Sequence, residues 1–180
     1  MPPLINHFVI VGVESTGKSS CAEFLSNSLP AKLIPEYARE YLELHSNTYT
    51  LEDFLIIAAG QKKVEDDALK NFRHREIIIF DTDFIVIYIW SKIVYGKVDE
   101  WIIERIKNYS DRIYFLMSPD VEWVNDGMRE YPDIEVRRDI HLRYIEVLEL
   151  FGCSYYLIEG NDHTVRQNEV LSIIKELYLK

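Results

Sequence analysis

Eight residues, Gly12-Val13-Glu14-Ser15-Thr16-Gly17-Lys18-Ser19, restrict the fold of this chain more than any other stretch. Two glycines, a lysine and a hydroxyl at this spacing make a phosphate-gripping loop, or P-loop. Gly12 and Gly17 admit backbone angles that a side chain would resist, so that successive N–H groups turn inward around an anion. The helix expected from about Gly17 adds the positive end of its dipole at the same point. Lys18 then reaches between the β- and γ-phosphates, and the Ser19 hydroxyl ligates magnesium. Glu14, Ser15, Thr16 and Ser20 complete the stretch expected to touch the nucleotide. Such a loop needs a buried strand before it and a helix after it, and the flanking HFVIV and CAEFLSNSL supply both. ATP and Mg2+ are the cofactors implied.

The remainder of the chain repeats the strand-then-helix rhythm. Short β-rich apolar runs at Leu4–Val11, Lys32–Ile34, Glu76–Phe80, Arg112–Met117 and Ser154–Ile158 predict buried parallel strands. Apolar residues three and four apart, at Leu51, Phe54, Leu55 and Ala58 and again at Tyr144, Ile145 and Leu148, predict helices between them. Alternating units imply an α/β fold of three layers: a five-stranded parallel sheet with helices on both faces and right-handed crossovers. Ligands of such sheets sit beyond the carboxyl ends of the strands. The polar segments GVESTGKS, PEYARE, DTD, SPDVEW and EGND all follow expected strands, so five strand ends should converge on one place.

Composition narrows the function. The chain of 180 residues carries no repeat and no linker, which predicts one domain over residues 1–180. A formal net charge of −10 repels polyanions, so a small-molecule partner is favoured over nucleic acid. Cys21 and Cys153 lie far apart, and the first residues lack a signal-peptide pattern, both of which point to a reduced, cytoplasmic compartment. The longest apolar stretch, residues 77–94, contains Asp81, Asp83 and Lys92 and is read as core, not as a membrane span. The five histidines show no metal-ligand spacing, so no structural zinc is expected.

Two further clusters bear on chemistry. Asp81 and Asp83 stand two apart just past a buried strand. Asp81 suits magnesium, directly or through water. Asp83 is either the acceptor of an attacking alcohol's proton or simply the N-cap of the next helix. In PEYARE, Glu36, Arg39 and Glu40 share a helix face and either hold hydroxyls of an acceptor or form a surface ion-pair trio.

With these pieces assembled, the sequence resembles the nicotinamide riboside kinase domain of the NadR type and the wider group of NadR-like P-loop ATPases and kinases. GVESTGKSS, PEYAREYL, IIIFDTDF with Tyr95-Gly96, LMSPDVEWVNDGMRE and IEGNDHTVR carry the likeness almost end to end. The resemblance implies transfer of the ATP γ-phosphate to the 5′-hydroxyl of a nucleoside, with nicotinamide riboside favoured. It implies a lid near residues 123–140, in which Arg129, Arg137 and Arg138 are the candidates to close over the phosphates, the last two unranked. Trp123 and Asp126 match the same lid motif, Tyr37 joins the acceptor-binding residues, and Arg166 falls in the loop that frames adenine. The family's two ring-stacking aromatics are replaced here by Pro35 and Asp67. Two other classes remain: an ATP-dependent regulator and a polynucleotide end kinase. NadR regulators carry a helix-turn-helix segment and an adenylyltransferase domain ahead of the kinase, and nothing of that length precedes Gly12, so a kinase is expected.

Overall fold

The protein is described by a computed structural model covering residues 6–45, 49–70, 76–109, 111–125 and 131–178. Five strands, β1 (His7–Val11), β2 (Ala31–Ile34), β3 (Ile77–Asp81), β4 (Arg112–Met117) and β5 (Ser154–Ile158), form one sheet in the order β2-β3-β1-β4-β5. All four pairings are parallel. Seven described helices connect them: α1 (Lys18–Ser28), α2 (Tyr37–Leu44), α3 (Leu51–Leu69), α4 (Phe84–Tyr95), α5 (Glu100–Lys107), α6 (Ile134–Leu150) and α7 (His163–Tyr178).

Both faces of the sheet are apolar because alternate residues of each central strand serve opposite layers. Phe8 and Ile10 of β1, Ile79 of β3 and Phe115 of β4 pack against Cys21, Ala22 and Leu25 of α1 and Val170 and Ile174 of α7. Val9, Ile78, Phe80, Tyr114 and Leu116 point the other way, into the layer built from α3, α4, α5 and α6. The central strands therefore read as continuous apolar runs, and the three layers expected from the sequence are present.

Limits shift in three of the strands. β1 begins at His7, β2 already at Ala31, and β3 runs one residue beyond its expected end, through Asp81. That last shift matters, because Asp81 is held in the sheet opposite Ile10, and the Thr82 amide donates to the Ile10 carbonyl at 3.1 Å. Helix α3 also differs from its expected apolar face. Leu55 is 41 % exposed, while Phe54, Ile57, Ala58, Gln61, Glu65 and Ala68 are buried. The buried stripe includes an amide and a carboxylate, which a count of apolar residues passes over.

Candidate active site

The P-loop has the backbone that its glycines promised. Gly12 has φ 145° and Gly17, at the N-cap of α1, has φ 81°, while Ser15 also takes a positive φ of 60°. A Cβ at Gly12 would come 2.7 Å from the Met117 carbonyl oxygen of the neighbouring strand, so glycine is required there by contact as well as by angle. The Thr16 hydroxyl, wholly buried, donates to the Val13 carbonyl at 2.7 Å and fixes the turn from inside. Lys18 Nζ lies 3.0 Å from the same carbonyl.

A cavity of about 560 Å³ opens from this loop and runs between α2, α3 and α4. Its phosphate end is lined by Gly12, Glu14, Ser15, Thr16, Gly17, Lys18, Ser19 and Ser20. Asp81 stands beside them, hydrogen-bonded to Ser19, and burial raises its carboxyl above the usual range. Its Oδ1 is buried without a hydrogen-bond partner among the described residues. A hydroxyl and an orphaned carboxylate oxygen side by side suit a hard, oxygen-seeking cation, so this corner fits the magnesium that accompanies a nucleoside triphosphate.

Glu36, Arg39, Thr82 and Asp83 line the middle of the cavity. Glu36 is half-buried at the N-cap of α2. Burial lifts its carboxyl above the ordinary value, Lys18 and Arg39 and a hydrogen bond from Thr82 oppose that rise, and Asp81 adds to it. Asp83 is in a different position. Its Oδ1 accepts the Ile85 amide at 2.9 Å, which makes it the N-cap of α4, and its Oδ2 accepts Arg112 Nη1 and the Tyr114 hydroxyl, each at 2.8 Å. Only 1 % of Asp83 is exposed.

Other expected residues lie away from this cavity. Glu40 is exposed and outside its lining, so the trio on α2 is split, with only Glu36 and Arg39 facing inward. Tyr37 packs its ring onto Gly60, where a Cβ would come within 2.0 Å of it, and its amide donates to Gln61 Oε1. It joins α2 to α3. Asp67 pairs with Lys70 at 2.5 Å on the outer face of α3.

The lid candidates divide sharply. Arg137 is 2 % exposed and donates to the Val121 carbonyl at 3.1 Å and the Ser15 carbonyl at 3.3 Å, tying α6 to the P-loop. Arg138 is exposed and pairs with Glu135 one turn away. Trp123 Nε1 donates to Glu14 Oε1 at 3.1 Å, the Tyr131 amide reaches the same oxygen at 2.6 Å, and the Val124 amide donates to Ser15 Oγ. Trp123, Val124 and Tyr131 thus all rest on the P-loop. Arg129 and Asp126 lie outside the described residues. Arg166 is fully buried and donates to the Ser118 and Ile158 carbonyls, fastening the ends of β4 and β5 together.

Sequence reasoning missed a ring-walled part of the cavity lining, made by Tyr49, Phe54, Trp90 and Tyr144 with Gln61. Phe54 and Tyr144 were visible only as members of a helical apolar repeat, and Trp90 only as part of an apolar run. Nothing in either pattern separates a wall from a core.

Sheet order, glycine-built loop and acid-flanked lysine define a P-loop nucleotide-binding protein with the architecture of the small kinases. The chain belongs to the family described as AAA domain, which it matches over residues 7–166. Its relatives include the trifunctional NAD biosynthesis/regulator protein NadR of Escherichia coli K12, 24% identical over 180 residues, covering 98% of this chain and 43% of that protein. The NadR of Salmonella typhimurium LT2 matches with the same identity and the same coverage. The chain therefore spans less than half the length of these curated relatives. Among solved structures, a NadR protein in complex with NR superposes with a TM-score of 0.78 at 19% identity, over 97% of this chain and 51% of that one. Thymidylate kinase from Candida albicans gives 0.71 at 15% identity, over 95% and 91%. These structural likenesses show the fold. Among the described residues no helix is long and apolar enough to cross a membrane.

Proposed function

We propose that this protein is an ATP-dependent kinase that transfers the γ-phosphate to the 5′-hydroxyl of a nucleoside, with nicotinamide riboside the favoured acceptor. One observation carries the reading: a P-loop and a ring-walled pocket share one continuous cavity, with Glu36 and Asp81 at the junction between them. A hydrolytic switch would need no second compartment. The comparisons lend support, since NadR structures exist with NR and with NAD and AMP-PNP.

In this reading the P-loop amides and Lys18 hold the β- and γ-phosphates and neutralise charge as transfer proceeds. Ser19 and Asp81 would hold magnesium, which would supply further neutralisation when bound with the nucleotide. Glu36 accepts the proton of the attacking hydroxyl, because its carboxylate faces the cavity while both oxygens of Asp83 are committed to Ile85, Arg112 and Tyr114. Arg39 stands beside Glu36 to orient the acceptor. Arg137 steadies the loop through the Ser15 carbonyl, and the lid segment 123–140 excludes water above it. ATP and Mg2+ are the cofactors, and a small nucleoside in a cytoplasmic setting is the partner.

The direct test is incubation of purified protein with ATP, magnesium and a panel of nucleosides, followed by detection of 5′-monophosphates. Acceptor-dependent ADP release with a matching nucleotide product is expected. ADP formed at an equal rate without acceptor would sink the kinase reading in favour of a regulatory ATPase.

A further inference from the structure

Two helices, α3 and α4, each line the ring-walled part of the cavity with one face. On α4, Val86, Ile87 and Trp90 recur three and four apart and line the space, and on α3 Phe54, Ile57 and Gln61 do the same from the opposite side. Trp90 is the largest of these side chains and only half-buried, although α4 as a whole is the most apolar helix of the chain. Its indole touches the Tyr131 ring at 5.7 Å and 39°, so it stands between the pocket and the lid. Pro35 lines the cavity without offering a π-face, and Asp67 is turned outward to Lys70. The two positions where the family likeness would put rings therefore supply none.

We infer that Trp90 is the specificity-determining residue for the acceptor, a platform on which a planar heteroaromatic base stacks in the slot between α3 and α4. This rests on the kinase reading above and adds to it the residue that selects the acceptor. An indole face takes any flat base by stacking and a cationic ring more strongly, through its quadrupole. An acceptor with a hydroxyl but no planar ring leaves the slot unfilled and is discriminated against. Contact with Tyr131, whose amide is anchored on Glu14, also lets the stacked base brace the lid.

The test compares nicotinamide riboside with methyl riboside as acceptors of wild type, Trp90→Phe and Trp90→Ala, and follows nicotinamide riboside binding by intrinsic fluorescence in the presence of a nonhydrolysable ATP analogue. Wild type should show a saturable quench and favour the aromatic acceptor. Trp90→Ala should raise the acceptor KM by about 5- to 100-fold while the ATP KM stays the same. Trp90→Phe should recover most of that loss yet show no quench, although Trp101 and Trp123 remain. An unchanged acceptor KM in Trp90→Ala, or equal use of methyl riboside by wild type, overturns the platform while the kinase reading stands. Quenching by nicotinamide riboside that is lost in Trp90→Ala, with no phosphoryl transfer by wild type, upholds the platform and overturns the kinase reading.

Discussion

Glu36 and Asp83 are both carboxylates lining one cavity, and their surroundings assign them opposite work. Asp83 accepts three hydrogen bonds and is almost wholly enclosed. Glu36 meets the open space, and its charge is opposed chiefly by burial. Replacing Glu36 by Gln is expected to lower kcat by about 10²- to 10⁴-fold with the fold intact, whereas Asp83→Asn should show first as a drop in melting temperature. Steady-state rates beside thermal unfolding separate the two, and a Glu36→Gln enzyme with wild-type kcat would return the proton to another acceptor. The pH dependence follows from the direction of the shift. Because burial makes folded Glu36 hold its proton to higher pH than the unfolded chain does, its ionisation costs stability as pH rises through that interval. Glu36→Gln should therefore gain melting temperature relative to wild type at about pH 7.5 more than at about pH 4. It should also lose the acid limb of the rate profile, which in wild type lies above the ordinary carboxylate range. Sequence alone put both acids at the site, since each follows a strand. It offered the proton to Asp83, or made it a simple N-cap, and gave acceptor hydroxyls to Glu36, because the groups that occupy Asp83 come from β4, 29 and 31 residues away, and leave no local trace.

At the level of elements, α6 meets the P-loop through one arginine of an adjacent pair. Successive helical residues point about 100° apart, so only one of Arg137 and Arg138 can face inward. The choice falls on Arg137 because its side has Val121 and Ser15 carbonyls to receive it, while Arg138 reaches back to Glu135. Arg138→Ala is expected to leave stability and ATP affinity within about 0.5 kcal/mol of wild type. Arg137→Ala takes this donor from the buried Val121 carbonyl, a loss worth about 1–3 kcal/mol, and from the part-buried Ser15 carbonyl, which loosens the P-loop. Denaturant unfolding and calorimetric titration of an ATP analogue measure both effects; equal losses in the two variants would show that α6 does not hold the P-loop this way. The sheet and its crossovers were legible because apolar runs and helical spacing are local signals. The buried stripe of α3 was not, since Gln61 and Glu65 face inward to partners on other elements and Leu55 faces out. The same locality explains Trp90, which a hydrophobic pattern records as one more core residue.

Across the whole molecule, the layer of helices beside the cavity is held by charge as well as by hydrocarbon. Arg112 at the start of β4 donates to Glu65 Oε2 of α3 and to Asp83 Oδ2, each at 2.8 Å, and Tyr109 donates to Glu65 at 3.1 Å. Arg105 adds a longer contact to Glu65 at 3.4 Å. The Arg112 guanidinium carbon also lies over the Tyr109 and Phe80 rings, 3.4 and 4.1 Å from their centroids. Glu65, Asp83 and Arg112 are all within 5 % of complete burial, so screening by solvent is slight and the desolvation cost of each charge is offset only by its partners. Removing the cation alone is therefore the damaging change. Arg112→Ala is expected to cost about 3–5 kcal/mol of folding free energy, because two carboxylates are left buried against each other. Neutralising all three, as Glu65→Gln with Asp83→Asn and Arg112→Met, should recover a large part of that loss, since an apolar or neutral replacement of a whole buried ionic group is often nearly neutral. Urea unfolding of wild type, Arg112→Ala and the triple variant gives the three free energies directly. A triple variant no more stable than Arg112→Ala would mean that shape at this junction, and not the balance of charge, ties α3 and β4 to the edge of the site.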